Sequence, residues 1–340
     1  MPTRHATLSN SSSPDSASPR RVGVLLPLPL GAAYDYRVPA DMKLTPGDFV
    51  AVPLGGREVN GVVWGGGDPA GVADNRLRDV AGLLDAPSMP KETRALVDWV
   101  AGYTLAPRGA VLRMAMSVPA ALRPPTPIPA YAIADPAPEF RMTPARQRIL
   151  AVLAGGPPRP GADLAREAAV GAGVVSGLAK AGALVRVSLP ADGAADLPPD
   201  PGKPGPKLST EQKTAADALA ARTGAGYCVT LLDGVTGSGK TEVYFEAIAA
   251  ALESGRQALV LLPEIALTGQ WLTRFADRFG AEPELWHSEL APARRRRTWR
   301  RIALGQARVV VGARSALFLP FGDLGLIVVD EEHDPSYKQE

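Results

Sequence analysis

The 340-residue chain carries a formal net charge of +2, 46% hydrophobic residues and one cysteine, and its length predicts two or three packed domains. One cysteine excludes an internal disulfide framework and any Cys₄ or Cys₂His₂ zinc site built from these residues, and no run of 18 apolar residues suggests a membrane span. The charge is too small to argue for nucleic acid by itself but is unevenly spread, with ten arginines against four acids between Arg274 and Arg314.

Residues 1–20, rich in Ser and Pro, read as a disordered tail. Arg20-Arg21 followed by Val22 to Ala33 resembles an export signal. Pro27 and Pro29 interrupt that apolar stretch, however, and the alternation of Val22, Val24 and Leu26 suits a strand. Residues 21–120 read as a small, mostly-β module. Its strands are expected at 22–26, 34–38, 49–52 and 60–64, punctuated by Pro46-Gly47, Gly55-Gly56 and Gly65 to Gly67. A helix over 94–103 follows, then a Pro-rich linker at 121–140. In the 141–189 region Thr143 caps a helix that opens at Pro144 and turns Ile149, Leu150 and Leu153 inward. Helical segments at 163–169 and 174–181 and a strand at 183–189 complete a winged-helix pattern, which an Ala-rich bundle shares. Residues 190–207, dominated by Pro, Gly and Asp, read as a second linker.

From residue 208 the pattern becomes α/β, with strands expected at 227–232, 257–262, 283–287, 307–311 and 325–330. Such alternation predicts a parallel sheet with nucleotide bound at the strand C-termini. Gly234, Gly239, Lys240 and Thr241 form G-x-x-x-x-G-K-[ST]. The motif lies between an apolar run at 227–232, expected as a buried strand with Cys228 in the core, and a helix over 240–252 with Val243, Ile248 and Leu252 on its apolar face. Backbone N–H groups of Thr236, Gly237, Ser238 and Gly239, with the helix N-terminus, would cradle phosphates. Lys240 would reach the β/γ-phosphates and the Thr241 hydroxyl would ligate Mg²⁺. Ninety residues on, the apolar run Leu324 to Val329 ends in Asp330. This is the Walker-B arrangement, in which Asp330 holds Mg²⁺ and Glu331 polarises the attacking water. Arg294 to Arg297, with Arg300 and Arg301, reads as a surface helix after Pro292 anchored by Trp299 and Ile302. It offers either a solvated face or a sequence-independent phosphate contact.

The segments LSTEQKTA (208–215), LLDGVTGSGKTEVY (231–244), LVLLPEIALTGQ (259–270), VVVGARSALFLPF (309–321) and LIVVDEEHDPSYKQE (326–340) resemble the superfamily 2 helicases. Among these, the likeness is to the replication-restart helicases of the PriA family, also called primosomal protein N′. It extends to the N-terminal module through YDY, VAVPLGG and LVDWVAGYTLAPRGAVL, and rests on order and pattern over 140–190. The Ser/Pro tail departs from the family. The fold implied is multidomain α/β: a small, mostly-β DNA-binding domain, a winged helix, and a partial RecA-like P-loop lobe with a parallel sheet.

Residue by residue, the resemblance implies that Gln212 reads adenine. Pro263, Glu264, Thr268 and Gln270, and then Gly312, Arg314, Ser315 and Ala316, would lie along a single strand, offering donors to phosphates. Glu332 and His333 would couple nucleotide state to DNA contact, and Tyr337 and Lys338 would open a loop that couples DNA binding to hydrolysis. In the N-terminal module, Tyr34, Asp35 and Tyr36 match a pocket for a leading-strand 3′ end. Aromatic rings would stack the terminal base and the carboxylate would accept from the 3′-OH. Gly55 would permit close backbone approach, and Arg78 would meet phosphate. Without the resemblance, Tyr34 and Tyr36 read as strand-packing residues and Asp35 as a solvated one.

The resemblance also implies ATP and Mg²⁺ as cofactors, and forked DNA, single strands and 3′ ends as substrates. Other primosome proteins, single-strand-binding protein and replicative-helicase loading factors would be partners, in the nucleoid-associated bacterial cytoplasm. The family carries a second lobe with an arginine finger, a zinc-binding cysteine cluster and a SAT-like strand after the DEEH box. These residues hold none of the three, so Zn²⁺ ligands would have to come from elsewhere. The sequence is therefore expected to be an N-terminal portion of a longer protein that does not unwind DNA alone. A non-catalytic fork-binding scaffold and another P-loop DNA translocase are the alternatives.

Overall fold

Alternation builds the first sheet. In the computed structural model, residues 20–68, 72–124, 127–136, 138–189, 197–235, 237–263 and 269–337 are described, and the chain divides into two units, Met1–Pro119 and Ala120–Glu340. In the first unit, β1 (Arg21–Leu25), β2 (Tyr34–Arg37), β3 (Phe49–Leu54), β4 (Arg57–Gly66) and β5 (Gly82–Leu83) form one antiparallel sheet in the order β2-β1-β4-β3-β5. Val22, Val24 and Leu26 face a core shared with Tyr36, Val38, Val50, Val52, Val63 and Val80. The apolar stretch after Arg20-Arg21 is thus a sheet strand. Gly55-Gly56 closes the β3–β4 hairpin, with Leu54 opposite Arg57, and Gly55 takes the positive φ of 62° that such a two-residue turn needs. Helices α1 (Lys91–Thr104) and α2 (Arg108–Ala115) follow. A Cβ at Gly109 would lie 2.0 Å from the Leu28 carbonyl oxygen, so only glycine lets α2 lie against the chain after β1.

In the second unit, β6 (Ile128–Ile133), β7 (Arg159–Pro160) and β8 (Leu184–Leu189) pair antiparallel in the order β7-β6-β8. Strand β6 lies inside the stretch that composition marks as a linker. Helices α3 (Pro144–Leu153), α4 (Gly161–Glu167) and α5 (Ala172–Lys180) accompany this sheet. They enclose Ile149, Leu153, Leu164, Val175, Leu178 and Leu184. Thr143 caps α3 by accepting from the Arg146 N–H at 3.3 Å, and Pro144 occupies the first turn.

The α/β part runs through α6 (Thr210–Arg222), α7 (Lys240–Glu253), β9 (Gln257–Leu261), α8 (Gly269–Phe279), β10 (Glu284–Trp286), α9 (Pro292–Ala303), β11 (Val309–Gly312) and β12 (Leu324–Val329). The four strands pair in parallel in the order β10-β11-β9-β12. Central β9 is buried along its whole length, as a strand with parallel neighbours on both sides should be. Phe245 of α7 meets Trp271, Phe275 and Phe279 of α8 edge-on, with ring centroids 5.5–5.7 Å apart. The buried Gln257 amide meets both its donor and acceptor needs. Its Nε2 donates to the Ile302 and Ala307 carbonyls, and its Oε1 accepts from the Gly322 and Asp323 N–H groups.

Two expectations are corrected. Residues 227–232 form no strand, and Tyr227, Val229 and Leu231 are 96%, 76% and 80% exposed. Cys228 is exposed rather than in the core. Apolar composition favours a strand, but a strand exists only with a ladder partner. Both edges of β9 are taken by β11 and β12, and the outer edge of β12 has no neighbour among the described residues. The arginine run also divides. Trp299 and Ile302 anchor α9 as expected, but Arg300 turns inward and donates to the Ala121 and Arg123 carbonyls at 2.9 and 3.2 Å. Arg301 pairs with Glu284 at 3.0 Å, and the Arg295 guanidinium lies 4.8 Å over the Trp286 ring.

Candidate nucleotide and nucleic-acid sites

Helix α7 opens on the glycine-rich loop. Gly237 and Gly239 both have φ of 82°, a left-handed conformation that disfavours any Cβ. A Cβ at Gly239 would also lie 2.4 Å from Gln212 Nε2. Ser209 and Gln212 form a reciprocal capping box at the start of α6. The Gln212 amide then donates to the Ser238 carbonyl at 2.8 Å. Gln212 therefore ties α6 to the phosphate loop, and the amide assigned to adenine is engaged there. Lys240 Nζ folds back to the Gly234 carbonyl at 2.7 Å, which leaves the ammonium at the mouth of the loop. Thr236 lies outside the described residues.

Asp330 ends β12 beside this helix. Its Oδ2 accepts from the Tyr244 hydroxyl at 2.9 Å and its Oδ1 from the Glu331 N–H at 3.0 Å. Tyr244, 5% exposed, in turn accepts from Trp271 Nε1 at 2.7 Å. Burial, then the Asp330 carboxylate, push the Tyr244 phenol well above its usual range, so it remains a proton donor. Tyr337 donates to the Asp330 carbonyl at 3.1 Å, and burial, then the Asp330 charge, push its hydroxyl up to about 12. Glu331 stands exposed with a left-handed φ of 50°, and His333 Nε2 lies 3.6 Å from its carboxylate. Glu332 is exposed.

The strand motifs gather at the same end of the sheet. Arg314 and Ser315 are exposed in the 3₁₀ turn after β11, and Gln270 is exposed in the first turn of α8. Gly312 approaches so closely that a Cβ there would lie 2.4 Å from the Trp286 carbonyl oxygen. Glu264, Thr268 and Lys338 lie outside the described residues.

In the first unit the expected pocket is partly assembled. Tyr34 is 42% exposed on edge strand β2, and Arg78 Nη1 reaches the Gly55 carbonyl at 3.4 Å. Tyr36 is corrected from a stacking ring to a core residue, 4% exposed, with its hydroxyl on the Pro53 carbonyl at 3.1 Å. Burial first, and then neighbouring Tyr34, raise its pKa, which Arg78 opposes. Asp35 points to the other face of β2 and accepts from the Asp68 N–H at 3.1 Å.

Thr241 and Asp330 offer one hydroxyl and one carboxylate, the sparse donor set that suits magnesium shared with phosphates. At Gly237 the loop is open, with nothing within 4 Å of where a Cβ would stand. A zinc site does not fit, since one exposed cysteine cannot supply the thiolates. Among the described residues no helix is long and apolar enough to cross a membrane. Sequence reasoning passed over Tyr244 and Trp271. Tyr244 carries a local signal, four residues after Lys240 on one helical face, but its partner is 86 residues away.

Two family models match: 3′DNA-binding domain (3′BD) over residues 23–117, and DEAD/DEAH box helicase over residues 210–340. A Replication restart protein PriA of Rickettsia conorii is 32% identical over 320 residues, covering 93% of this chain and 38% of the relative. That of Chlamydia pneumoniae is 31% identical, covering 91% and 43%. That of Bacillus subtilis is 47% identical over 134 residues, covering 39% and 17%. The chain thus spans 38% and 43% of the length of the Rickettsia conorii and Chlamydia pneumoniae relatives.

Proposed function

Because the chain belongs to the PriA family of superfamily 2 helicases, we propose that it acts in replication restart. The activity would be that of an ATP-driven 3′→5′ DNA helicase that recognises stalled forks and D-loops and initiates primosome assembly. The observation that carries this reading is the joint match of a 3′ DNA-binding module and a helicase lobe in one chain. Lys240 leaves the Gly234 carbonyl to bind β/γ-phosphate oxygens, and Thr241 and Asp330 hold Mg²⁺. When bound, ATP supplies the phosphoanhydride whose cleavage drives movement. The Glu331 carboxylate accepts a proton from the attacking water. Thr268, Gln270, Arg314 and Ser315 track one DNA strand. Glu332, His333 and Tyr337 relay its presence to the nucleotide.

Tyr34 is exposed on β2 with Asp35 on the opposite face, and Arg78 reaches the Gly55 carbonyl. Helices α3–α5 with β6–β8 act as a winged helix on duplex DNA. Other primosome proteins, single-strand-binding protein and helicase-loading factors are the partners of this reading.

The test is fork binding by this chain with a leading-strand 3′-OH against a 3′-phosphate. A preference for the hydroxyl that Asp35→Ala abolishes supports the reading, whereas equal binding to both ends leaves a general DNA translocase as the better account. A non-catalytic scaffold is distinguished by Lys240→Ala, which would leave its function intact.

A further inference from the structure

Three polar groups form a chain across the packed interface of α7, α8 and β12, and the Thr241 side chain also meets its middle member, the Tyr244 hydroxyl. The indole N–H of Trp271 is a donor only. When it gives its proton to the Tyr244 oxygen, the phenol must spend its own proton elsewhere, and Asp330 Oδ2 receives it. The order Trp271 to Tyr244 to Asp330 therefore follows from donor chemistry. Both rings are buried, at 7% and 5% exposure, where such bonds strengthen one another and an unpaired group is costly. With the Glu331 N–H on Oδ1, the Asp330 carboxylate has one fixed orientation.

The two ends of this chain lie at different functional places. Trp271 follows Gln270, which is exposed in the first turn of α8 among the residues assigned to the DNA strand. Asp330 ends β12 and meets Tyr244, which sits on the helix that carries Lys240 and Thr241. Helices α7 and α8 are fastened along their length by the Arg274–Glu242 and Arg278–Glu246 ion pairs and by the Phe245, Phe275 and Phe279 rings. A shift in the first turn of α8 therefore has little freedom except at its end, where Trp271 holds the phenol.

We propose that Tyr244 is a positioning residue for the Asp330 carboxylate, and that the Trp271–Tyr244–Asp330 chain links strand occupancy at the N-terminal turn of α8 to divalent-cation binding at Asp330. This rests on the reading of Asp330 as the magnesium carboxylate. A strand contact that moves Gln270 moves Trp271 with it. The indole then tightens or releases the phenol oxygen, and Asp330 Oδ2 gains or loses its donor. By reciprocity, a cation at Asp330 must alter strand affinity by the same factor.

The chain has five tryptophans, so its indole N–H groups give five nuclear magnetic resonance signals, and Trp271→Phe identifies the one concerned. The probes are ADP with magnesium, ADP with a chelator, and oligothymidylate. The Trp271 signal is expected to move with magnesium–ADP and with oligothymidylate, but not with ADP in chelator. Tyr244→Phe keeps the ring, so ADP binding in chelator should be unchanged. Its response to magnesium–ADP should vanish, its response to oligothymidylate should persist, and magnesium-dependent ADP affinity should fall about tenfold. Trp271→Phe, which removes the neutral donor further from the carboxylate, should lower that affinity about threefold. If magnesium–ADP binds and the wild-type indole signal stays still, the link to Asp330 is overturned. An unmoved signal on oligothymidylate binding overturns the link to the strand. Equal losses with and without magnesium in both variants overturn the positioning role in favour of a packing one. No ADP binding by the wild-type chain would sink the nucleotide-site reading itself, and the inference with it.

Discussion

The antiparallel sheet of the first unit and the parallel sheet of the second present chemistry in different ways. In the first, the candidate residues sit on an outer strand and a hairpin tip: Tyr34 and Asp35 on β2, Gly55 in the two-residue β3–β4 turn. In the second, the strands face the solvent with their C-terminal ends, and Asp330, Arg314 and Ser315 leave those ends as loops. An antiparallel edge displays side chains on two faces at once. A parallel sheet collects segments from distant parts of the chain at one end, which is how the Tyr244 hydroxyl comes to donate to Asp330. The first arrangement suits gripping one end of a polymer, and the second suits coupling one ligand to another.

The comparison can be broken most forcefully through packing. Phe245→Ala removes the ring around which α7 and α8 close and should cost about 3–5 kcal/mol. Denaturant unfolding should show the loss in the second unit alone, and an equal loss in the first would refute the independence of the two sheets. Next in size, Lys240→Ala should weaken magnesium–ADP binding about 100-fold while leaving the preference for a 3′-OH untouched. Titration with a fluorescent ADP analogue, run beside the fork assay, checks both halves. The arginine helix gives a smaller contrast. Arg300→Ala leaves the Ala121 and Arg123 carbonyls without their donor and should cost about 1–3 kcal/mol, whereas Arg294→Ala, exposed on the same helix, should stay within about 0.5 kcal/mol. Equal melting temperatures for these two variants would contradict the inward role of Arg300.

The smallest effect is the pH dependence that Tyr36 contributes in the first unit. The Tyr36 pKa is raised in the folded state, chiefly by burial. The folded protein therefore holds this proton more tightly than the unfolded chain does. The associated stability is complete below the ordinary tyrosine pKa of about 10 and declines as pH rises above it. Tyr36→Phe should flatten that decline, as followed by thermal melts across alkaline pH, and an unchanged slope would assign it to other groups.

The parts legible in the sequence share one property, which is that their signal is local. Val22, Val24 and Leu26 alternate in a way that needs no knowledge of a partner, and β1 forms where they stand. Thr143-Pro144 and the glycines around Lys240 likewise act through their own backbone. The Asp330 motif was legible because an apolar strand and its terminal carboxylate are contiguous. Tyr36 is a strand-packing residue, as its own pattern reads without the resemblance, but that pattern does not separate it from Tyr34, two residues away on the same face and 42% exposed. Arg300 and Arg301 read as part of a uniform charge run until the Ala121 and Arg123 carbonyls and Glu284 gave them partners.

By itself, the order of residues determined the glycine-rich loop, the helix that follows it, the strand that ends at Asp330 and the family to which the chain belongs, because each depends on neighbours in sequence. Tertiary structure alone decided which apolar segment obtains a ladder partner. It left residues 227–232 outside the sheet, although their composition is that of a strand. It also brought Trp271, Tyr244 and Asp330 into one hydrogen-bonded line. A strand's pairing and a side chain's distant partner are properties of where other parts of the chain come to rest, and no local pattern encodes them.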